Sequence, residues 1–298
     1  MKRCITIATL LLFVLAVCAA QAEPIKLAYK FTKGELDKYR MNMSMNMTMP
    51  GIPGGGNMPP VSMTMEMVAQ QRTLEVLPDG SARIRVTYST PSMKMTGAPK
   101  MKQPAIPKQT FSVIMTMAPD GRVLSMEGME KMLAASGLKN FDFSQFTNLM
   151  GQYAFLPPDP VEVGAMWKQT VPMPFGAGDM TVDSVLESYG EQIWSQVAAG
   201  VNTKYTAHMD LGQIMRSVAG SMAVKGKEWQ MISQMSGGID MNGTMTFYFA
   251  PAIGKVLKGS GQMWATVKIG MPAEVVKQGA PPEICMDMDM KMVLTRFK

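Results

Sequence analysis

The chain has 298 residues, a formal net charge of +6, 47 % hydrophobic residues and one histidine. The charge is mild and spread along the chain, which excludes the dense basic stripe of a nucleic-acid binder. With His208 as the only histidine, and no G-x-S-x-G, H-E-x-x-H or phosphate-cradling glycine loop, an enzyme is not expected.

The chain opens Met1-Lys2-Arg3, continues with an apolar run from Ile5 to Ala20, and then reads Ala20-Gln21-Ala22. A basic start, an apolar stretch and a small-x-small end are the parts of a secretory signal peptide, here residues 1–22, cut before Glu23. The apolar run is shorter than the roughly 20 residues of a membrane-spanning helix. No later segment of that kind follows. The expectation is an exported chain of residues 23–298 in the periplasm or cell envelope, with no integral membrane span after cleavage. Cleavage removes Lys2 and Arg3, which lowers the formal charge to +4. It also removes Cys4 and Cys18, so Cys285 is left without an internal disulfide partner.

From residue 39 the dominant period is two. Tyr39, Met41, Met43, Met45, Met47 and Met49 fall on one face of an extended strand, and Lys38, Arg40, Asn42, Ser44, Asn46 and Thr48 on the other. Pro50 to Pro60, "PGIPGGGNMPP", reads as a loop. The alternation returns at Met63-Thr64-Met65-Glu66-Met67, then in Ala82, Ile84, Val86 and Tyr88. Pro91 to Lys108, with four lysines among four prolines, reads as a basic loop. Phe111, Val113, Met115 and Met117 alternate again. Pro78-Asp79-Gly80, Pro119-Asp120-Gly121 and Asn242-Gly243 read as turns between strands. Helical signal is confined to mid-chain, at Glu127–Ser136 and Ser144–Tyr153. The last alternating run is Met286, Met288, Met290, Met292 and Leu294.

Strands with one apolar and one polar face belong to antiparallel sheets wetted on one side. The predicted fold is all-β with roughly 11–13 strands. It forms a large antiparallel curved sheet or barrel-like cradle, with two short mid-chain helices. Residues 23–298 form one β-rich domain. "MTMAPDGRVL" from Met115 and "FYFAPAIGKVL" from Phe247 share an apolar strand, Ala-Pro, a glycine turn, a basic residue and Val-Leu. That likeness suggests two related halves, 23–126 and 166–298, around a helical linker at 127–165.

"KFTKGELDKYRM", "LPDGSARIRV" and above all "FLPPDPVEVGAMWKQTV", with Trp167 after a Pro-Val-x-Val-Gly turn, resemble a family of exported bacterial β-rich proteins of unknown function. The resemblance implies an antiparallel cradle or barrel-like sheet and no established activity. At the level of fold the pattern is also similar to the lipoprotein-carrier class of periplasmic proteins, whose curved sheet holds acyl chains.

The 35 methionines set the functional question. Methionine fixes shape poorly and re-packs readily, which suits a face that meets a hydrophobic ligand such as a lipid. On that reading Met41, Met43, Met45, Met47, Met63, Met65, Met288 and Met290 line a shared interior. Thioethers also select Cu(I) and Ag(I). The alternative is therefore a Cu(I)/Ag(I)-binding protein using methionine thioethers, with copper as the cofactor and Met286, Met288, Met290, Cys285 and His208 as ligands. Methionine as plain core filler, in place of branched residues, is the third reading.

Overall fold

A computed structural model describes residues 23–49, 60–89, 92–97, 110–128, 156–173, 176–221 and 226–297. Among the described residues there are twelve strands: β1 (Leu36–Thr48), β2 (Val61–Val76), β3 (Ala82–Tyr88), β4 (Ser92–Thr96), β5 (Phe111–Met117), β6 (Val123–Glu127), β7 (Met166–Pro172), β8 (Asp179–Ile193), β9 (Gln196–Asp210), β10 (Ser236–Ala250), β11 (Lys255–Gly270) and β12 (Glu283–Phe297). They form one antiparallel sheet in the order β6-β5-β3-β2-β1-β12-β11-β10-β9-β8-β7. The sheet is open, with β6 and β7 at its edges. Strand β4 also pairs with β2, beyond the end of β3. Together β3 and β4 accompany β2 over most of its length, so Ser92–Thr96 is a strand where the sequence reads as loop. The rest of that loop, 98–108, and most of Pro50–Pro60 lie outside the described residues.

The two ends of the sheet are built differently. Short turns at 77–81, 118–122, 194–195 and 251–254 close one end. Longer connections gather at the other: 173–178 between β7 and β8, 211–235 between β9 and β10, and 271–282 between β11 and β12.

The closed end holds the conventional core. Residues preceding β1 run across it. Ile25 pairs with Val161. Leu27 is fully buried against Leu156, Leu186, Val201, Phe247 and Phe249. The Tyr29 amide donates to the Pro119 carbonyl at 2.6 Å, and the Lys30 amide to the Gly254 carbonyl at 3.3 Å. Two hairpins, β5–β6 and β10–β11, thus hold one segment between them. Both lack a side chain where that segment passes: a Cβ on Gly121 would meet the Tyr29 ring, and one on Gly254 the Lys30 backbone. These are the two segments whose sequences are alike, and both shift register at one strand end, at Thr116/Met117 and Tyr248/Phe249. Their basic residues diverge. Arg122 pairs with Asp120 at the surface at 2.7 Å, whereas Lys255 is buried.

Lys255 enters a charged network on the inner face. Its Nζ lies 2.8 Å from Asp37 Oδ2 and 3.0 Å from Glu35 Oε2. Asp37 also accepts hydrogen bonds from Arg296 Nε at 2.9 Å and from its terminal nitrogen at 2.5 Å. Tyr39, two residues beyond Asp37 on the same face, has its phenol pushed upward by burial first and by Asp37 second. Burial alone pushes Tyr29 up to about 12.

Three short helices are described, and none is where the sequence points. They are α1 (Leu211–Ser221), α2 (Lys227–Gln234) and α3 (Ala273–Lys277). Glu127 ends β6 instead of starting a helix; the remainder of Glu127–Ser136 beyond Gly128, and all of Ser144–Tyr153, lie outside the described residues. The missed signal for α1 is Asp210-Leu211-Gly212-Gln213, an acidic cap three residues before glutamine at the head of an apolar run. Asp210 Oδ1 accepts from the Gln213 amide at 2.8 Å. Asp210→Ala is expected to remove about 1 kcal/mol of stability, read as a lower urea midpoint with an unchanged slope.

Candidate functional site

Register decides what the alternating methionines do. Residues directly opposite in adjacent antiparallel strands share a face, with Cβ atoms about 4.5–5.5 Å apart. One rung across the sheet reads Met93, Met65, Met43, Met292, Gly261, Met245 from β4 to β10. The next reads Met95, Met63, Met45, Met290, Met263, Gly243, Tyr205 from β4 to β9. A third, nearer the end with the long connections, pairs Met47 with Met288 and continues through Ala265, Met241 and Ala207 to Met180. The predicted Met41, Met43, Met45, Met47, Met63, Met65, Met288 and Met290 therefore all lie on one face of one sheet.

These side chains are half-buried, not core. All eight are of intermediate exposure. Only Met173 and Met180 among the methionines belong to the buried core of the described residues. That core is built from Leu27, Ile84, Val86, Val201, Leu186, Phe249 and similar branched or aromatic residues. Among the described residues the core is thus filled in the usual way, and the methionines other than Met173 and Met180 stand at positions that remain at least partly accessible.

The face curves around a cavity of about 600 Å³. Its walls include Met41 of β1, Met292 and Met290 of β12, Met263 of β11, Met245 and Met241 of β10, Tyr205 of β9 and Met180 of β8, with Tyr29 and Gly121 at the closed end. In a flat sheet β1 and β8 would stand roughly 24 Å apart, five strand spacings. Their sharing one cavity shows how far the sheet rolls. Gly261 and Gly243 thin the wall beside the methionines. A Cβ on Gly261 would lie 2.8 Å from the Thr244 carbonyl oxygen, and one on Gly243 the same distance from that of Gln262. The Tyr205 hydroxyl stands 3.8 Å from Met245 Sδ, and Thr244 and Gln262 add polar residues to a wall that is otherwise mainly methionine.

Of the eight predicted ligand residues, Met41 and Met290 line this cavity. Met43, Met45, Met63 and Met65 lie beside it on β1 and β2, and Met47 faces Met288 at the open end. Met180, Tyr205, Met241, Met245 and Met263 were not anticipated. Reading Asn242-Gly243 as a turn hides Met241 and Met245, because it cuts β10 in two. The pair sits mid-strand, opposite Trp264 and Met263, and Gly243 is buried. Glycine is there for backbone proximity, not for a turn.

The predicted metal set divides between the faces. Met286, Met288 and Met290 point inward. Cys285 lies opposite Lys268 on the outer face, where its thiol donates to Glu283 Oε1 at 3.3 Å. That hydrogen bond chiefly holds the thiol above its ordinary pKa. His208 is also outward, with Nδ1 2.6 Å from Asp240 Oδ1. The same outer face carries Asp287 and Asp289, which accept hydrogen bonds from Thr266 Oγ1 at 2.8 Å and Gln262 Nε2 at 3.0 Å. No cluster of three or more His, Cys, Asp or Glu suited to a metal occurs among the described residues. No described helix is long and apolar enough to cross a membrane.

No protein-family model matches the chain, and no curated protein matches it. Among solved structures it is similar to DynF from the dynemicin biosynthesis pathway of Micromonospora chersina, at 7 % identity over 92 % of this chain and 86 % of that one, with a TM-score of 0.20. A likeness at that level carries no argument about fold or function.

Proposed function

We propose that the protein is an exported, non-enzymatic binder of a hydrophobic ligand, and that the ligand is the acyl chain of a lipid held in the methionine-walled cavity. The observation that carries this reading is the cavity itself. Its volume falls in the range of small-molecule sites, and its wall is mainly apolar, seven methionines with Tyr29, Tyr205, Thr244 and Gln262 among them. Unbranched, polarizable methionine side chains adapt to chains of differing length and bend. The half-buried state of the face supports an occupant that comes and goes. His208 and Asp240 lie on the far side of the sheet, so the pair is not placed to act on that occupant. Export rests on residues 1–22, read as a signal peptide, and is checked by whether the mature chain begins at Glu23.

The test is native mass spectrometry of the mature chain, with lipid extraction and titration by a fluorescent fatty acid. Co-purified lipid and saturable probe binding are expected. Met245→Glu places a carboxylate in the apolar wall and is expected to weaken probe binding by about ten-fold or more. Thr206→Glu, on the outer face of β9, is expected to leave binding unchanged. Absence of saturable probe binding, or equal binding by Met245→Glu, would overturn the reading.

A further inference from the structure

We infer that the same face carries a second site, outside the cavity, for a soft monovalent cation, Cu(I) or Ag(I), at Met43, Met45, Met63 and Met65. Met43 stands opposite Met65, and Met45 opposite Met63. The four form a square on β1 and β2, with sides of about 4.5–5.5 Å across the strands and about 6.6–7 Å along them, between Cβ atoms. Each sulfur lies two bonds beyond its Cβ on rotatable torsions, so three thioethers of the square can meet at one ion. Trigonal or linear coordination by neutral sulfur is what Cu(I) and Ag(I) accept and hard cations refuse.

The surroundings strengthen the assignment. On one side the square adjoins Met93 and Met95, and on the other Met292 and Met290. Two adjacent rungs across four strands thus hold eight methionines and no other residue type. Pure filling of a pleated face would favour branched side chains, as the closed end of this sheet does. The nearest oxygen donors in sequence, Asn42, Ser44, Asn46, Thr64 and Glu66, alternate onto the opposite face, which leaves the inner one to sulfur. Half-burial leaves an ion a route in. The four residues are not part of the cavity wall, so this site and the lipid reading fail independently.

The experiment is calorimetric titration of the full mature chain with Ag(I) in chloride-free buffer. It is paired with competition for ascorbate-reduced Cu(I) against a chromogenic chelator. One tight binding event is expected, with a sulfur-only shell by X-ray absorption. Leucine matches methionine in volume, so a variant combining M43L, M45L, M63L and M65L is expected to keep its circular dichroism and its fatty-acid binding. It is expected to lose the tight event, weakening Ag(I) by about ten-fold or more, since even residues that only support metal ligands cost about that much. If the fourfold variant does not fold, the pairs M43L/M65L and M45L/M63L serve in its place. C285S and Met245→Glu are expected to bind Ag(I) as the parent does. A parent chain that binds no Ag(I), a folded variant that binds it equally well, or loss of binding in C285S would each overturn the assignment.

Discussion

Asp37→Ala is expected to lower the unfolding free energy by about 3–5 kcal/mol, measured by chemical denaturation at neutral pH. Asp37 and Lys255 are each 5 % exposed, and Asp37 is the group that ties Lys255 to Arg296. Two charges taken from water are tolerated there because each meets the opposite sign with short hydrogen bonds. Removing the carboxylate leaves the Lys255 ammonium buried with the partly exposed Glu35 and with the face of Phe31, whose centroid is 5.8 Å away. Neither replaces the lost partner. Lys255→Met, which removes the buried cation and keeps its length, is expected to cost less, because Asp37 retains Arg296. Equal losses in the two variants would show that packing, not the unpaired charge, carries the effect. The network joins β1, β11 and β12 at the closed end, and methionines stand farther along the same three strands.

Phe249→Ala is expected to cost a further large amount, about 3–5 kcal/mol, by the same measurement. Phe249 has no exposed surface. It packs with Leu27, Leu156, Leu186, Ala199 and Val201, and Tyr29 meets its ring edge-on at a centroid distance of 5.4 Å. The void left by the ring would lie between the sheet and the segment before β1, among Leu27, Leu156 and Leu186. Methionine positions offer the contrast. Met43→Leu or Met63→Leu should shift stability little, since volume is kept and neither site is fully buried. A core that tolerated Phe249→Ala as readily would contradict the division between a packed closed end and an adaptable open one.

Much of the fold was legible because a β-strand has a side-chain period of two, and this chain writes that period in two unlike residue classes. Met41 to Thr48 and Cys285 to Leu294 announce which atoms share a face before any partner strand is known. Pro78-Asp79-Gly80 and Pro119-Asp120-Gly121 are turns because Asp side chains there bind backbone amides locally, at 3.0 Å to Ser81 and 3.1 Å to Arg122. Asn242-Gly243 carries the same local chemistry and lies mid-strand, because a partner backbone passes too close for any side chain. Only β11 supplies that fact. The helix at Asp210 was readable from its cap and was masked by the strong strand pattern preceding it.

What the sequence by itself determined is the β class, the two-faced strands and the opposition of thioether to polar side, since these follow from alternation within a single strand. What only the tertiary structure decided is which strands are neighbours and in what register, and therefore that Met43 meets Met65 and Met292 while Cys285 and His208 turn away from them. The roll that brings Met41 and Met180 to one cavity, and the pairing of Asp37 with Lys255 across 218 positions of chain, belong to the same category. Such contacts join residues far apart in the chain, and no local preference encodes the distance between them.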